Sequence, residues 1–586
     1  MTGALRVITS GCLILAIASA ASAADPKWSW PTHRGNSERT GNRDGSEGPQ
    51  QPNVLWVYKA PEHFVASIVP GDKSIFVGGL GAFNTGVFHA ISADHKPAER
   101  INWSISAPYI KRPTVCAPAV SNGLVMFGDG MHQTDDALLY CVKADTGLPI
   151  WSFSVPGKLV HMEGAPTVDR GKVYIGAGAA GVLCLDTTQL MLNGKTQPAE
   201  AVIPTIAKAW SDMTAAYERD KKKNPDLAIP PSEEALPQAV PQLKWQAGKG
   251  TWHVDAPIAT AGEYVFVASA FLDAEKVGQR SLMCLKAASG TVVWDTKLDL
   301  NPWSGPTVAG PAVLVGCSSI RFDRKLIPKA AGEVVALNLA DGKVLWRHKT
   351  PGGVLSAVAV KDGLAVYTCT DGKMYARKYL TGELAWTYDA KTPFFAAPAL
   401  AGNVAYAADL NSLMHAVDLK TGKRVWVFDI ATDQSVQVRG RVFGSPVVHA
   451  GNLYVATCNL DSATGQPSVV VCLSDQPAGV TALNKPITVD AKAKTVTVPC
   501  RIAMRKLPTL KEIYPLEVIA SLPYPRGQKA HETVVTFDVK PSDVHKAVTS
   551  LGLKPGKPAK GTGAAAVGPE VQITLRFPGI TGKPRT

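Results

Sequence analysis

The chain lacks the short signatures that most directly announce an activity. Among its ten cysteines there is no Cys-x-x-Cys and no Cys-x-x-Cys-His, so neither a zinc knuckle nor a c-type haem is indicated. No Gly-x-Ser-x-Gly elbow, Walker loop or dinucleotide fingerprint stands in a strand–turn–helix context. Charged residues make up only 19% of the chain, and the net charge of +13 comes without a nucleic-acid recognition motif, so no nucleic-acid partner is expected. The basic surplus serves solubility, or faces an anionic envelope polymer or lipid. No run is long and apolar enough to read as a transmembrane segment. The nearest is N-terminal: Arg6, the apolar stretch from Val7 to Ala18, then Ala21-Ser22-Ala23. This pattern reads as a signal peptide over residues 1–23, cleaved near Ala23. Cys12 lies inside the apolar stretch, so a cleaved leader is expected ahead of a lipoprotein anchor. The mature protein is expected to be periplasmic or secreted. Nine cysteines then remain, an odd number that cannot all pair internally.

What the chain has in abundance is self-similarity. A turn ending in Gly is followed four residues later by Trp on an apolar strand: Thr146-Gly147-Leu148-Pro149-Ile150-Trp151, then again over residues 290–294, 341–346, 381–386 and 421–426. Repetition at this period marks stacked supersecondary units. Gly supplies a positive-φ turn position, and the Trp presents a large apolar face to a neighbouring unit. Each unit reads as four short strands with period-2 alternation. Seven units end on Trp103, Trp151, Trp245, Trp294, Trp346, Trp386 and Trp426, and an eighth lacks its Trp strand. An orphan strand, Val54-Leu55-Trp56-Val57-Tyr58, precedes the first unit. Paired with the stretch from Ser468 to Cys472, it would close the array and remove its open edges. The predicted fold is therefore all-β: an eight-bladed propeller over residues 24–480, closed by an N-terminal strand, with a small α+β domain behind it. Cys141, Cys184, Cys284 and Cys472 fall at matching places in the repeat and read as small buried hydrophobes rather than as a disulfide framework.

Two regions break the repeat. The third unit carries a helical insert at about 190–242, in which the stretch from Ile206 to Lys223 has apolar residues at three- and four-residue spacings before Pro225 and Pro230-Pro231. It is either rim decoration or a partner-docking element. From about 485 to 586 the Gly-Trp phrase disappears. A hairpin around Val489 and Val496, strands near Val518 and Val535, a helix from Ser542 to Leu551 capped by Ser542 or Asp543, and a final strand from Val571 to Leu575 are predicted there.

The phrase from Leu139 to Trp151 and its later echoes resembles the PQQ-like repeat, which builds quinoprotein alcohol dehydrogenases and the BamB-type outer-membrane assembly factor. The opening Trp30-Pro31-Thr32-His33-Arg34-Gly35 is similar to the lead-in of a bacterial subgroup of such propellers, many of them found in planctomycetes. Gly527-Gln528-Lys529-Ala530-His531-Glu532, with the stretches from Lys540 to His545 and from Leu551 to Gly556, resembles the YdjY-type domain. The repeat implies a fold and not a reaction. A quinoprotein dehydrogenase would be expected to carry an adjacent cysteine pair and a Glu/Asn/Asp calcium set. This chain has no adjacent cysteines, and no such calcium set can be assembled at matching places.

Two places depart from a purely structural pattern. His161-Met162-Glu163 and His253-Val254-Asp255 immediately precede a first strand, and His63 and Arg441 occupy comparable positions ahead of the first and eighth units. First strands are innermost in a propeller, so these six residues are expected to gather at one mouth of the central channel and bind a polar or anionic ligand; His with a carboxylate two residues on could also ligate a divalent metal, which the lack of a tight ligand spacing disfavours. The plainer alternative is solvated residues at strand starts. In the small domain His531-Glu532 and His545 are candidates, though His531 and Glu532, as neighbours on an extended strand, are expected to point to opposite faces. No catalytic residue and no metal are assigned, and no cofactor is expected. The reading is a monomeric, exported, non-catalytic scaffold that binds protein or a cell-envelope component, with a divergent oxidoreductase using PQQ and calcium as the alternative.

Overall fold

A computed structural model of the chain describes residues 30–475 apart from 42–45, 95–98, 133 and 461–464, together with residues 487–585 apart from 499, 504–514, 517, 523–528, 538, 540, 558–566, 576 and 579–583. The stretch expected to be a leader, with Cys12, lies outside the described residues. The chain divides into two compact units at 478/479.

The first unit holds eight antiparallel sheets whose strands follow one another in sequence. Blades 1 to 7 span 69–106, 119–155, 167–247, 259–297, 306–350, 359–389 and 399–429. Blade 8 takes three strands from 447–474 and its fourth from Asn53–Ala60, which pairs antiparallel with Ser468–Ser474 in a register that sets Trp56 opposite Cys472. The orphan strand thus closes the ring as the sequence predicts. First strands of successive blades lie against one another, which places them innermost. Ser67 Oγ accepts from the Ser445 backbone N–H at 2.7 Å, joining blade 8 to blade 1.

The Gly-Trp phrase has a clear physical reason. Trp103, Trp245, Trp294, Trp346 and Trp386 each donate the indole N–H to a backbone carbonyl of the following blade at 2.7–3.0 Å: Ala144, Ala287, Leu339, Tyr379 and Leu419. The turn glycines of that following blade, Gly147, Gly290, Gly342, Gly382 and Gly422, adopt φ of +70° to +73°, and a Cβ on any of them would lie 2.6–2.7 Å from the same indole. Glycine satisfies both demands at once, the left-handed backbone and the close approach. Trp426 is half-buried and finds the Pro49 carbonyl at 3.0 Å, because blade 8 borrows its outer strand from the N-terminus. Trp56 instead lies under the Arg100 guanidinium at 4.5 Å, and Trp151 packs beside Ala239 of the insert-bearing blade. In every blade the residue opposite the Trp is small: Ala90, Cys141, Cys184, Cys284, Ala336, Ala376, Ala416 or Cys472. Cysteine and alanine are interchangeable there, as expected for a small buried hydrophobe. None of the nine described cysteines forms a disulfide, and burial pushes the thiol of Cys184 up to about 11 and that of Cys284 up to about 12.

The insert begins earlier than its apolar spacing suggests. Its helix is Ala199–Lys223 and contains Pro204 at its sixth residue, where the ring removes an i→i−4 donor from the helix ladder. Val202 and Ile206 are buried, and Trp210 and Met213 pack partly against the core shared by blades 2 and 3.

Residues 30–41, read in the sequence only as a lead-in, do substantial structural work. They run across the innermost strands of six blades. Trp30 exchanges backbone hydrogen bonds with Val120, and the carbonyls of Pro31, Ser37, Glu38 and Thr40 accept from Val168, Thr260, Val308 and Val360 at 2.8–2.9 Å. Arg34 donates to the Pro398 carbonyl, and Arg39 to those of Pro257 and Pro306. Each exchange gives a polar group of an inner strand a partner that neighbouring blades do not supply. Arg34 and Arg39 are buried, which pushes both guanidinium groups down to about 9.

The second unit contains a hairpin, Thr488–Asp490 with Thr495–Thr497, and a small sheet of Arg501–Ile502, Val518–Ser521 and Thr533–Thr536. Two expectations are corrected. The helix is Pro541–Thr549, so Ser542 and Asp543 lie in its first turn rather than at its cap. Residues 571–575 form no strand; 571–574 are exposed, and the short pairing nearby is Phe577–Pro578 with Pro584–Arg585. An apolar alternation without a partner strand has nothing to pack on.

Candidate functional site

The segment before each innermost strand sends one side chain into the channel. Those side chains are Val65, Val115, Glu163, Asp255, Trp303, Leu355, Phe395 and Phe443, and all line one cavity of about 170 Å³. His33 and Arg39 of residues 30–41 line it too. Six of the eight positions are apolar; the two acids stand on neighbouring blades, 3 and 4. Two residues earlier in each segment stand His63, Pro113, His161, His253, Asn301, Gly353, Pro393 and Arg441. The mouth is therefore polar on one side and aromatic on the other, where Phe322, Phe395 and Phe443 contact edge-on or tilted at 5.5–5.6 Å.

On the polar side His161 and His253 are fully buried, and each brings Nε2 to 2.9 Å from Asp255 Oδ1. The Arg321 guanidinium donates to Asp255 Oδ2 at 2.7 Å and lies over the Trp303 ring at 4.5 Å. Glu163 Oε1 is 3.8 Å from His161 Nε2. The His132 ring stands edge-on to that of His161 at 5.9 Å. Burial alone would raise the Asp255 carboxyl, but the charges and hydrogen bonds of His161 and His253 hold it well below the usual carboxylate range. Burial alone would likewise depress His161; Asp255, with Glu163 adding, outweighs it and leaves the imidazole above its ordinary value. Burial and the neighbouring Asp255 charge raise Glu163. Burial, and then Arg321, bring His132 down to about 4. Asp255 is thus the anionic centre of a cluster contributed by four chain segments.

The structure brings together His161, Glu163, His253 and Asp255. It does not bring His63 and Arg441 to them. His63 stands on blade 1, with Nδ1 3.2 Å from Ser468 Oγ, and Arg441 on blade 8 forms a backbone bridge to Cys458. The whole of blade 2 separates both from the acids, since equivalence of position around a ring is not proximity. Sequence reasoning missed His132 and Arg321, which arrive on loops between second and third strands. A signal was available: those loops run 129–136 in blade 2 and 319–331 in blade 5, against 369–372 and 409–412 in blades 6 and 7.

In the second unit, the expectation that His531 and Glu532 diverge is overturned. They lie in a single helical turn, Ala530–Glu532, rather than on an extended strand, and His531 Nε2 is 3.0 Å from Glu532 Oε1. Lys529 Nζ also donates to Glu532, at 2.7 Å. His545 is exposed on its helix and lines a separate groove of about 410 Å³ with Val548, Leu553 and Val567.

Comparison with known proteins agrees with this architecture. Residues 92–197 and 305–490 match the family described as outer membrane protein assembly factor BamB, and residues 487–583 match the YdjY domain. A curated relative, quinohemoprotein alcohol dehydrogenase ADH IIB of Pseudomonas putida, is 33% identical over 119 residues, and the match covers 17% of each protein. The chain therefore spans about a sixth of that relative's length. Among solved structures, quinohemoprotein alcohol dehydrogenase from Comamonas testosteroni superposes with a TM-score of 0.50 at 14% identity, covering 80% of this chain and 84% of the other. A europium-containing methanol dehydrogenase gives a TM-score of 0.50 at 12% identity over 76% and 98% of the two chains. At such identities these two likenesses speak to the fold alone. With the ring of eight blades, the interblade tryptophans and both family matches in hand, the chain is a PQQ-like repeat β-propeller carrying a C-terminal YdjY domain.

Proposed function

We propose that this protein is an exported, non-catalytic scaffold that binds protein or another cell-envelope component at the mouth of its channel. The observation that carries this reading is how the channel is filled. Residues 30–41 occupy its interior and leave a cavity of about 170 Å³. Pockets for cofactor-sized ligands run to roughly 300–1,000 Å³.

PQQ, a fused three-ring tricarboxylate, does not fit the residues present. The cavity is small for it, and the one tryptophan lining it has a face covered by Arg321. The sequence also holds no adjacent cysteine pair. The mouth suits an amphipathic partner segment instead: charge-assisted donors and acceptors on the side of blades 3 and 4, and aromatic rings on the side of blades 5 to 8, with Phe322 about half exposed.

The test is to purify the protein from its native host and record its absorbance spectrum and calcium content. Clean protein absorbance is expected, with no dye reduction in the presence of alcohols. A quinone band with bound calcium would overturn the scaffold reading. A photo-crosslinker at Phe322 should give discrete adducts in intact cells, and one at the outer-rim Val293 should not.

A further inference from the structure

Nothing in the repeat demands what stands on blades 3 and 4. At the positions of Glu163 and Asp255 the other blades place Val, Trp, Leu or Phe, and at those of His161 and His253 two of them place Pro and one Gly. Packing of an eightfold ring is thus satisfied without buried imidazoles or carboxylates. Yet here two histidines are fully buried, on adjacent segments, and both aim Nε2 at the Asp255 carboxylate, His161 at Oδ1 and His253 at both oxygens, 2.9 Å from Oδ1 and 3.0 Å from Oδ2. A third, His132, reaches them on the loop of blade 2. One ligand atom from each of His132, His161, His253 and Asp255 lies within 4.8 Å of the others, the sole such grouping among the described residues.

We propose that these four residues form a site for a divalent transition-metal ion of the Zn²⁺ class, which clasps blades 2, 3 and 4 at the channel mouth. Three imidazoles and one carboxylate suit Zn²⁺, Co²⁺, Ni²⁺ or Cu²⁺, whereas Ca²⁺ and Mg²⁺ require all-oxygen surroundings. Zinc–ligand distances of about 2.0–2.1 Å set tetrahedral ligand–ligand edges of roughly 3.3 Å. The two Nε2–Oδ1 contacts of 2.9 Å need open by only a few tenths of an ångström, and His132 closes in by rotation on its loop. Arg321 holds Asp255 through Oδ2 at 2.7 Å, an oxygen it shares with His253, and leaves Oδ1 within 2.9 Å of both imidazoles, which makes it a positioning residue. Glu163 Oε1 has no hydrogen-bond partner and stands beside His161 as a further oxygen donor. Asp255 and Glu163 also line the cavity, which gives an ion its path in. The Nδ1 atoms of all three histidines hydrogen-bond to no protein atom. Unbacked histidine ligands lose about 10–100-fold in affinity, so micromolar rather than nanomolar binding is expected. This proposal stands apart from the partner reading above, because a metal clasp serves a scaffold or any other propeller equally.

The test uses full-length protein stripped with a chelator and then titrated with Zn²⁺ by calorimetry and with Co²⁺ by visible absorption. One ion per chain is expected, with the intense ligand-field bands of four-coordinate Co²⁺ and no displacement by excess Ca²⁺. His161→Ala should weaken binding by about 100-fold or more, and Arg321→Met by about 10-fold, the scale of a positioning contact. Asp255→Asn keeps the side-chain shape and serves where His161→Ala fails to fold; it should abolish the Co²⁺ bands while circular dichroism stays native. Wild-type protein that takes up no ion at submillimolar Zn²⁺, or stoichiometric uptake that survives both Asp255→Asn and His161→Ala, would overturn the site.

Discussion

The two halves of the channel mouth occupy the same positions of one repeat and behave differently. Blades 6 and 7 place Leu355 and Phe395 in the ring, turn between their second and third strands in a few residues, and give an apolar wall. Blades 3 and 4 place Glu163 and Asp255 there, receive long loops from blades 2 and 5, and give a charged cluster. The blade strands are common to both halves, so the difference lies in side chains and loops that the repeat does not require. Geometry is repeated, and chemistry enters where the repeat is broken.

The largest expected effect tests what both halves share. Removing residues 24–59 takes away the closing strand and the segment that partners six inner strands, so both halves should lose their frame together. The truncated protein should aggregate; a monomer with an unchanged melting temperature would refute that account of closure.

Next comes the interblade lock on the regular side. Trp346 is buried, donates to Tyr379 and lies against Gly382. Trp346→Ala should cost about 3–5 kcal/mol in denaturant unfolding. Trp210, only partly buried on the insert helix, should cost clearly less when changed to Ala. Equal shifts in midpoint would erase the distinction between blade lock and decoration.

A smaller effect separates the polar half. The pKa of His161 is raised in the folded state, so its stabilising contribution is complete below the unfolded value of about 6.5 and is lost as pH rises through the higher folded value. Asp255 is depressed, so its contribution is present above about 3.9 and is lost in acid. In chelator-treated protein, the loss of melting temperature in His161→Gln should be larger near about pH 5.5 than near about pH 8.5. Equal losses at both would mean that the pair is not charged in the fold.

The smallest effect concerns Cys284. It faces Trp294 where four other blades already carry Ala, so Cys284→Ala should shift stability by less than about 1 kcal/mol. A larger loss would mean that the thiol has a role beyond its volume.

Much of this molecule was legible in its sequence. The Gly-Trp phrase repeats because each turn glycine meets the tryptophan of the preceding blade, a local demand that must be met at nearly every interface and so is written down the chain. The orphan strand around Trp56 declared the closure by complementarity. The pairing of a histidine with an acid two residues on could also be read, because it recurs at the same phase of the repeat. What escaped was everything set by distance between segments. Residues 30–41 hold the channel through carbonyls and guanidiniums whose partners lie up to 364 residues away. His63 and Arg441 share the phase of His161 and stand elsewhere on the ring, whereas His132 and Arg321 share no phase and meet Asp255. His531 and Glu532 converge because their backbone is helical rather than extended. A repeating sequence determines the interfaces that repeat, since the same contact energy is needed at each. Which side chains share one small volume depends on loop paths and ring closure, and the tertiary structure alone decides it.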